Sequence, residues 1–143
     1  MKQNQGGFTL IELVMVIVIL GVLAAVALPK FVDLKGDAQL ASIQGYAGAL
    51  ASASAINYGG CSITGNVVTT GKCVKVSKCS DLGAVLSPAL TLGTTCITTA
   101  PYLTADTTGT TNGAEISCTL NYGKGATCAS GGSAVFTAIA AAN

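Results

Sequence analysis

Two kinds of residue in this chain are placed to do chemistry: one carboxylate inside an apolar run, and six cysteines. Glu12 lies in Phe8–Leu28, a stretch of Leu, Ile, Val, Ala and Met interrupted only by Thr9, Glu12 and Gly21. A carboxylate inside a membrane helix costs about 2.5–3.5 kcal/mol and usually pairs with an opposite charge. The run contains no Lys or Arg. Cutting the chain between Gly7 and Phe8 would create the missing cation, an α-amino group at Phe8. Glu12 lies four residues on, within reach of its own amine across one turn, or of a second copy's amine after a small axial shift. In the second case the carboxylate is satisfied only when another subunit docks in register. The plainer reading is a protonated Glu12, or one close enough to the interface to snorkel.

The cysteines are Cys61, Cys73, Cys79, Cys96, Cys118 and Cys128, all downstream of the apolar run. An even number in a translocated domain argues for three disulfides formed in an oxidising compartment. Metal binding competes with that reading, but no Cys-x-x-Cys pair supports it and the chain has no histidine. Cys118 and Cys128 flank Asn121-Tyr122-Gly123-Lys124-Gly125 symmetrically about Gly123. Strands folding back there would set these two opposite each other, so they are the expected pair; the spacing leaves Cys61, Cys73, Cys79 and Cys96 undecided.

The remaining chemistry is sparse. Lys72, Lys75 and Lys78 form a local positive cluster that could touch nucleic acid or an anionic surface, or simply face solvent. A net charge of +1 provides no basic surplus for binding by phosphate neutralisation. No particular serine is paired with a particular lysine, so no nucleophile is assembled and no enzyme or cofactor is expected. Phe8, Phe31, Tyr46 and Tyr58 are widely spaced, which suits helix packing better than electron conduction.

The elements that must position these residues follow from the same pattern. Half of the 143 residues are hydrophobic and 9% charged, against about 25% charged in a typical soluble domain, which argues against disorder. Phe8–Leu28 would span about 32 Å as a helix, enough for a hydrocarbon core of about 30 Å. A secretory signal places its apolar part before the cleavage site. Here the small pair Gly6-Gly7 precedes it, so cleavage would remove only the polar leader 1–7 and keep the anchor. Lys2 favours a cytoplasmic N-terminus, though one lysine is a slight topological signal.

Gly7-Phe8-Thr9-Leu10-Ile11-Glu12-Leu13, followed by an apolar run and Pro29, resembles the class III signal of type IV pilins and pseudopilins. Pro29-Lys30-Phe31-Val32-Asp33-Leu34, with Ala38 and Gln39, resembles pilins of the mannose-sensitive haemagglutinin kind; the match covers about residues 6–58. The resemblance implies cleavage after Gly7 by a prepilin peptidase, N-methylation of Phe8, and neutralisation of that amine by Glu12 of an adjacent subunit. It implies that Gly21–Pro29 melts in an assembled filament, whereas an isolated chain could show only a proline kink. A Cys118–Cys128 bridge would be the counterpart of the C-terminal disulfide loop usual in pilins.

Helical periodicity continues beyond Pro29, with Leu40, Ile43, Ala47 and Leu50 on one face and Tyr46, Ala49, Ala53 and Ile56 beside them. Asn57-Tyr58-Gly59-Gly60 is the expected stop. Small residues from Ala41 to Ser54 would let a sheet or second helix approach closely. After Gly60, β-branched runs at Val67–Thr70, Val74–Val76, Cys96–Thr99, Ile116–Leu120 and Val135–Ile139 suggest about four antiparallel strands. A short helix at Ser80–Leu86, capped by Ser80 or Asp81, is also expected. No Asn-x-Ser/Thr sequon occurs, so any sugar would be O-linked.

The expected organisation is a leader (1–7), a membrane or filament-core helix (8–29), an amphipathic continuation (30–58) and a disulfide-rich β head (59–143). The fold class is α+β, with the helix packed through its C-terminal half on a small antiparallel sheet. The function expected is that of a structural subunit: inserted in the inner membrane, trimmed, then built by inner-membrane assembly machinery into a homopolymeric surface pilus. The resemblance implies roles in adhesion, motility and DNA uptake, with no surface ligand specified. Two alternatives are a pseudopilin forming a periplasmic piston of type II secretion, and a membrane-tethered binding module that never polymerises.

Overall fold

A computed structural model describes residues 7–97, 100–124 and 128–143. Most of the leader 1–7, Thr98 and Thr99 of the strand expected at Cys96–Thr99, and Gly125 of the expected turn lie outside the described residues. The chain divides into two units, Met1–Lys35 and Gly36–Asn143. The first helix, α1 (Leu10–Ile63), contributes to both.

In the first unit the apolar side chains of α1 are exposed from Leu10 to Leu28. Leu10–Leu28 is long and apolar enough to cross a membrane. Neither Gly21 nor Pro29 ends the helix in the single chain.

In the second unit α1 buries one stripe. Ile43, Ala47, Leu50, Ser54, Asn57 and Cys61 recur at the three- and four-residue spacing that places side chains on one helix face. Ile43, Ala47 and Leu50 share a core with the sheet. Tyr46, Ala49 and Ile56, expected beside that face, point to solvent instead, because the stripe is only about one residue wide per turn. Nor does α1 stop at Asn57–Gly60. Gly60 stays helical and is required there, since a Cβ at that position would collide with the Lys72 carbonyl packed against it. The helix ends one turn later, where Gly65 takes a left-handed conformation (φ 66°) and the Asn66 N–H donates to the Cys61 carbonyl at 2.7 Å.

The sheet has three antiparallel strands in the order β1 (Pro101–Leu103), β2 (Glu115–Lys124) and β3 (Ala129–Ile139). Alternation places Ile116, Cys118 and Leu120 of β2, with Phe136 and Ala138 of β3, towards the helix. Glu115, Ser117, Val135 and Thr137 occupy the solvent face. Val67–Thr70 and Val74–Val76, expected as strands, form only isolated bridges, Thr69 with Cys73 and Val76 with Ala141. Their β-branched residues line a connecting segment whose main chain is held by α1 and the chain's end rather than by a sheet.

A 3₁₀ helix, η1 (Cys79–Val85), stands where Ser80–Leu86 was expected, and Cys79 and Leu82 are its core residues. Asp81 organises its start by accepting from the Ser77 N–H (2.9 Å), the Ser77 hydroxyl (2.9 Å) and the Lys78 N–H (3.2 Å). Ser80 does not cap it; its N–H and hydroxyl donate to Asp106, each at 2.8 Å.

Candidate assembly site

At the start of α1, Thr9 and Glu12 form a reciprocal pair. The Thr9 N–H and hydroxyl donate to Glu12 Oε2 at 2.8 and 2.7 Å, and the Glu12 N–H donates to Thr9 Oγ1 at 3.3 Å. This is a capping box, with Thr9 as the N-cap and Glu12 three residues on. It satisfies two amide donors that a helix start leaves without partners. The sequence readings of Glu12 are a charged mate, protonation or snorkelling, yet Thr-x-x-Glu before an apolar run is there to be read as a cap. The carboxylate has donors within its own chain before any cleavage. Its other oxygen, Oε1, accepts no hydrogen bond among the described residues. Phe8, the residue before the cap, is largely exposed.

The cysteines pair as Cys61–Cys73, Cys79–Cys118 and Cys96–Cys128, with Cα separations of 4.6, 5.8 and 6.1 Å. The expected Cys118–Cys128 bridge is therefore incorrect. In the β2–β3 hairpin, Lys124 pairs with Ala129 and Gly123 with Ser130, which centres the turn beyond Lys124 rather than at Gly123. Cys118 then falls opposite Phe136, on the core face, where Cys79 of η1 meets it. Cys128 lies beside the turn, within reach of Cys96. The bridges close loops with sequence separations of 12, 39 and 32 residues. Each contributes about 3–4 kcal/mol in the chain-entropy account. Among the described residues, no group of three His, Cys, Asp or Glu side chains is placed to hold a metal ion.

The three lysines lie on one side of an extended segment. Lys72, Lys75 and Lys78 are exposed while Cys73, Val76 and Cys79 are buried, a period of three residues. Lys78 is engaged by Asp106 at 3.3 Å. Burial raises the pKa of Asp106, but hydrogen bonds from Ser80 and the charge of Lys78 outweigh it and hold the carboxyl below its ordinary value. The Lys78 corner therefore ties the segment before η1 to the loop before β2. Lys72 and Lys75 have no ion-pair partner among the described residues. Lys72 borders a groove of about 540 Å³ whose walls include Ala53 and Ile56 of α1 and Val74, Val85 and Leu86 beyond it.

An exposed apolar helix opening on a threonine–glutamate cap, with a disulfide-closed α+β unit on the same chain, defines a class of anchored or polymerising subunits. Residues 2–28 match the prokaryotic N-terminal methylation motif. The chain is similar to type IV pilins. It is 56% identical over 50 residues to the type IV narrow pilus major component PilA5 of Thermus thermophilus, covering 35% of this chain and 43% of that one. It is 50% identical over 48 residues to the fimbrial protein EcpC of Eikenella corrodens (34% and 31% covered). The type IV major fimbrial protein FimA of Dichelobacter nodosus is 40% identical over 53 residues (37% and 34% covered). The matched stretches thus span less than half the length of these curated relatives. No solved structure matches. Type IV pilins are structural subunits, not enzymes.

Proposed function

We propose that this chain is the structural subunit of a type IV pilus. It would enter the inner membrane by Leu10–Leu28, lose its leader by prepilin peptidase cleavage after Gly7, and be N-methylated at Phe8. Assembly machinery in that membrane would then add it to an extracellular homopolymer serving adhesion and motility.

The observation that carries this reading is the pairing of a wholly exposed apolar stretch of α1, Leu10–Leu28, with a half-used carboxylate at its first turn. A lone anchor needs lipid and nothing else. Oε1 of Glu12 is open to the Phe8 amine of a second copy while Oε2 keeps its Thr9 donors, so docking need not break the cap. Repeating such a contact from subunit to subunit is heterologous and does not close, which produces filaments rather than rings or dimers.

The test is Glu12→Ala. Cells carrying it should hold the chain in the membrane but shed no filaments, while wild-type shear fractions contain fibres whose subunit begins at methylated Phe8 by mass spectrometry. Full-length fibres from the Glu12→Ala cells would refute the reading.

A further inference from the structure

The Gly36–Asn143 unit carries a groove, a cation at its edge and an uncommitted anion far away on the same helix. Ile56 is 76% exposed and stands at the groove beside Val74 and Leu86. An isoleucine this open on the solvent side of a helix whose other face is packed leaves apolar surface with nothing on it. Lys72 sits on the edge of the same groove and lacks an ion partner among the described residues. The carboxylates of this unit divide in two. Asp81 and Asp106 are consumed by η1 and its neighbours. Asp37 and Glu115 are exposed and accept no hydrogen bond among the described residues. Glu115 stands on the flat outer face of the sheet, which cannot enter a groove. Asp37 stands on α1, followed along its open side by Ala38, Ala41 and Gly45, all exposed. Beyond a Cβ at Gly45 there is only open space. That face is narrow enough for a groove to receive it.

Asp37 cannot serve Lys72 of its own chain. Lys72 packs on Gly60, and 23 residues of helix from Asp37 to Gly60 rise about 35 Å, far beyond the reach of two side chains. We propose that the groove beside Ile56 receives the Asp37–Gly45 face of α1 from a second copy of this chain, with Asp37 paired to Lys72. The inference rests on the polymer reading and names a contact within it between the disulfide-bonded units. Charge complementarity at the rim fixes which stretch of helix enters, and the small residues let it lie close.

The experiment uses wild-type filaments. A carbodiimide joins a lysine to a carboxylate only when they already touch, forming an amide with loss of water. Treated filaments should yield a covalent dimer whose mass-mapped junction is Lys72–Asp37, absent from Lys72→Gln filaments. Lys72→Glu should lower filament yield at least about tenfold, and adding Asp37→Lys should restore it. Lys72 is exposed, so its substitution leaves the three disulfides intact as a check on folding. Wild-type filaments whose Lys72 joins Glu115, or nothing, overturn the contact while the polymer stands. A double reversal that fails to restore yield does the same. A chain that forms no filaments at all overturns the polymer and this contact together.

Discussion

Asn57 holds both main-chain groups of Val74, seventeen residues further on: its Nδ2 donates to the Val74 carbonyl and its Oδ1 accepts the Val74 N–H, each at 2.8 Å. A side-chain amide here does the work of a neighbouring strand, joining the nearly buried face of α1 to a segment that belongs to no sheet. Replacing it strands two main-chain groups, each costing about 1–3 kcal/mol. Asn57→Leu should therefore destabilise the full chain in detergent by about 2–4 kcal/mol in chemical denaturation, and Asn57→Asp, which sets a carboxylate oxygen against the Val74 carbonyl in a nearly buried site, should cost at least as much at neutral pH.

The disulfide map is a direct check on strand register. Peptide mapping without reduction should return Cys61–Cys73, Cys79–Cys118 and Cys96–Cys128. A Cys118–Cys128 peptide would require the hairpin to turn at Gly123 and would expel Phe136 from its place opposite Cys118.

Acid should loosen the Lys78 corner. The Asp106 carboxyl is held below its ordinary value, so its stabilising contribution is complete above the unfolded pKa of about 3.9. It is lost as the pH falls through the lower folded value. Stability measured from pH 7 downwards should stay level with respect to this group and decline only below about pH 4. Asp106→Asn should remove that part of the decline. The group is partly solvated, so the effect is small.

Thr9→Ala removes the hydroxyl that both donates to Glu12 and accepts its N–H. The loss of an N-cap costs about 1 kcal/mol. Hydrogen exchange in detergent should speed up at the amides of the first helical turn and stay unchanged around Leu50.

Core truncation sets the scale for these effects. Leu50 is completely buried against the sheet, and Leu50→Ala should cost about 2–5 kcal/mol by thermal or chemical denaturation.

Much of this architecture is legible in the residue pattern. Ile43, Ala47 and Leu50 declare a helix face, and the alternation of Ile116, Cys118 and Leu120 declares a half-buried strand. The Thr9–Glu12 cap is legible too, being a local signal within one turn. What escapes the pattern is decided by partners far along the chain. Gly59-Gly60 has the composition of a helix stop, yet the Lys72 carbonyl needs the gap at Gly60 and the helix runs on. Val74–Val76 has the composition of a strand, but its main chain is satisfied by Asn57 and Ala141. Cys118 and Cys128 look symmetric about Gly123, and only the true register, with its irregularity between Asn121 and Gly123, separates them.

All three covalent bridges lie between Cys61 and Cys128, so no sulfur ties residues 36–60 of the helix to the sheet beneath them. The hydrogen bonds that α1 makes to the rest of the unit, the Ile139 N–H donating to the Ser54 hydroxyl and Asn57 pairing with the main chain of Val74, are likewise gathered towards its carboxyl end. The seam therefore comes apart directionally. Under heat or tension the helix peels from its Gly36 side, where among the described residues only greasy contacts oppose it, and the peel arrests at the stitched end near Cys61.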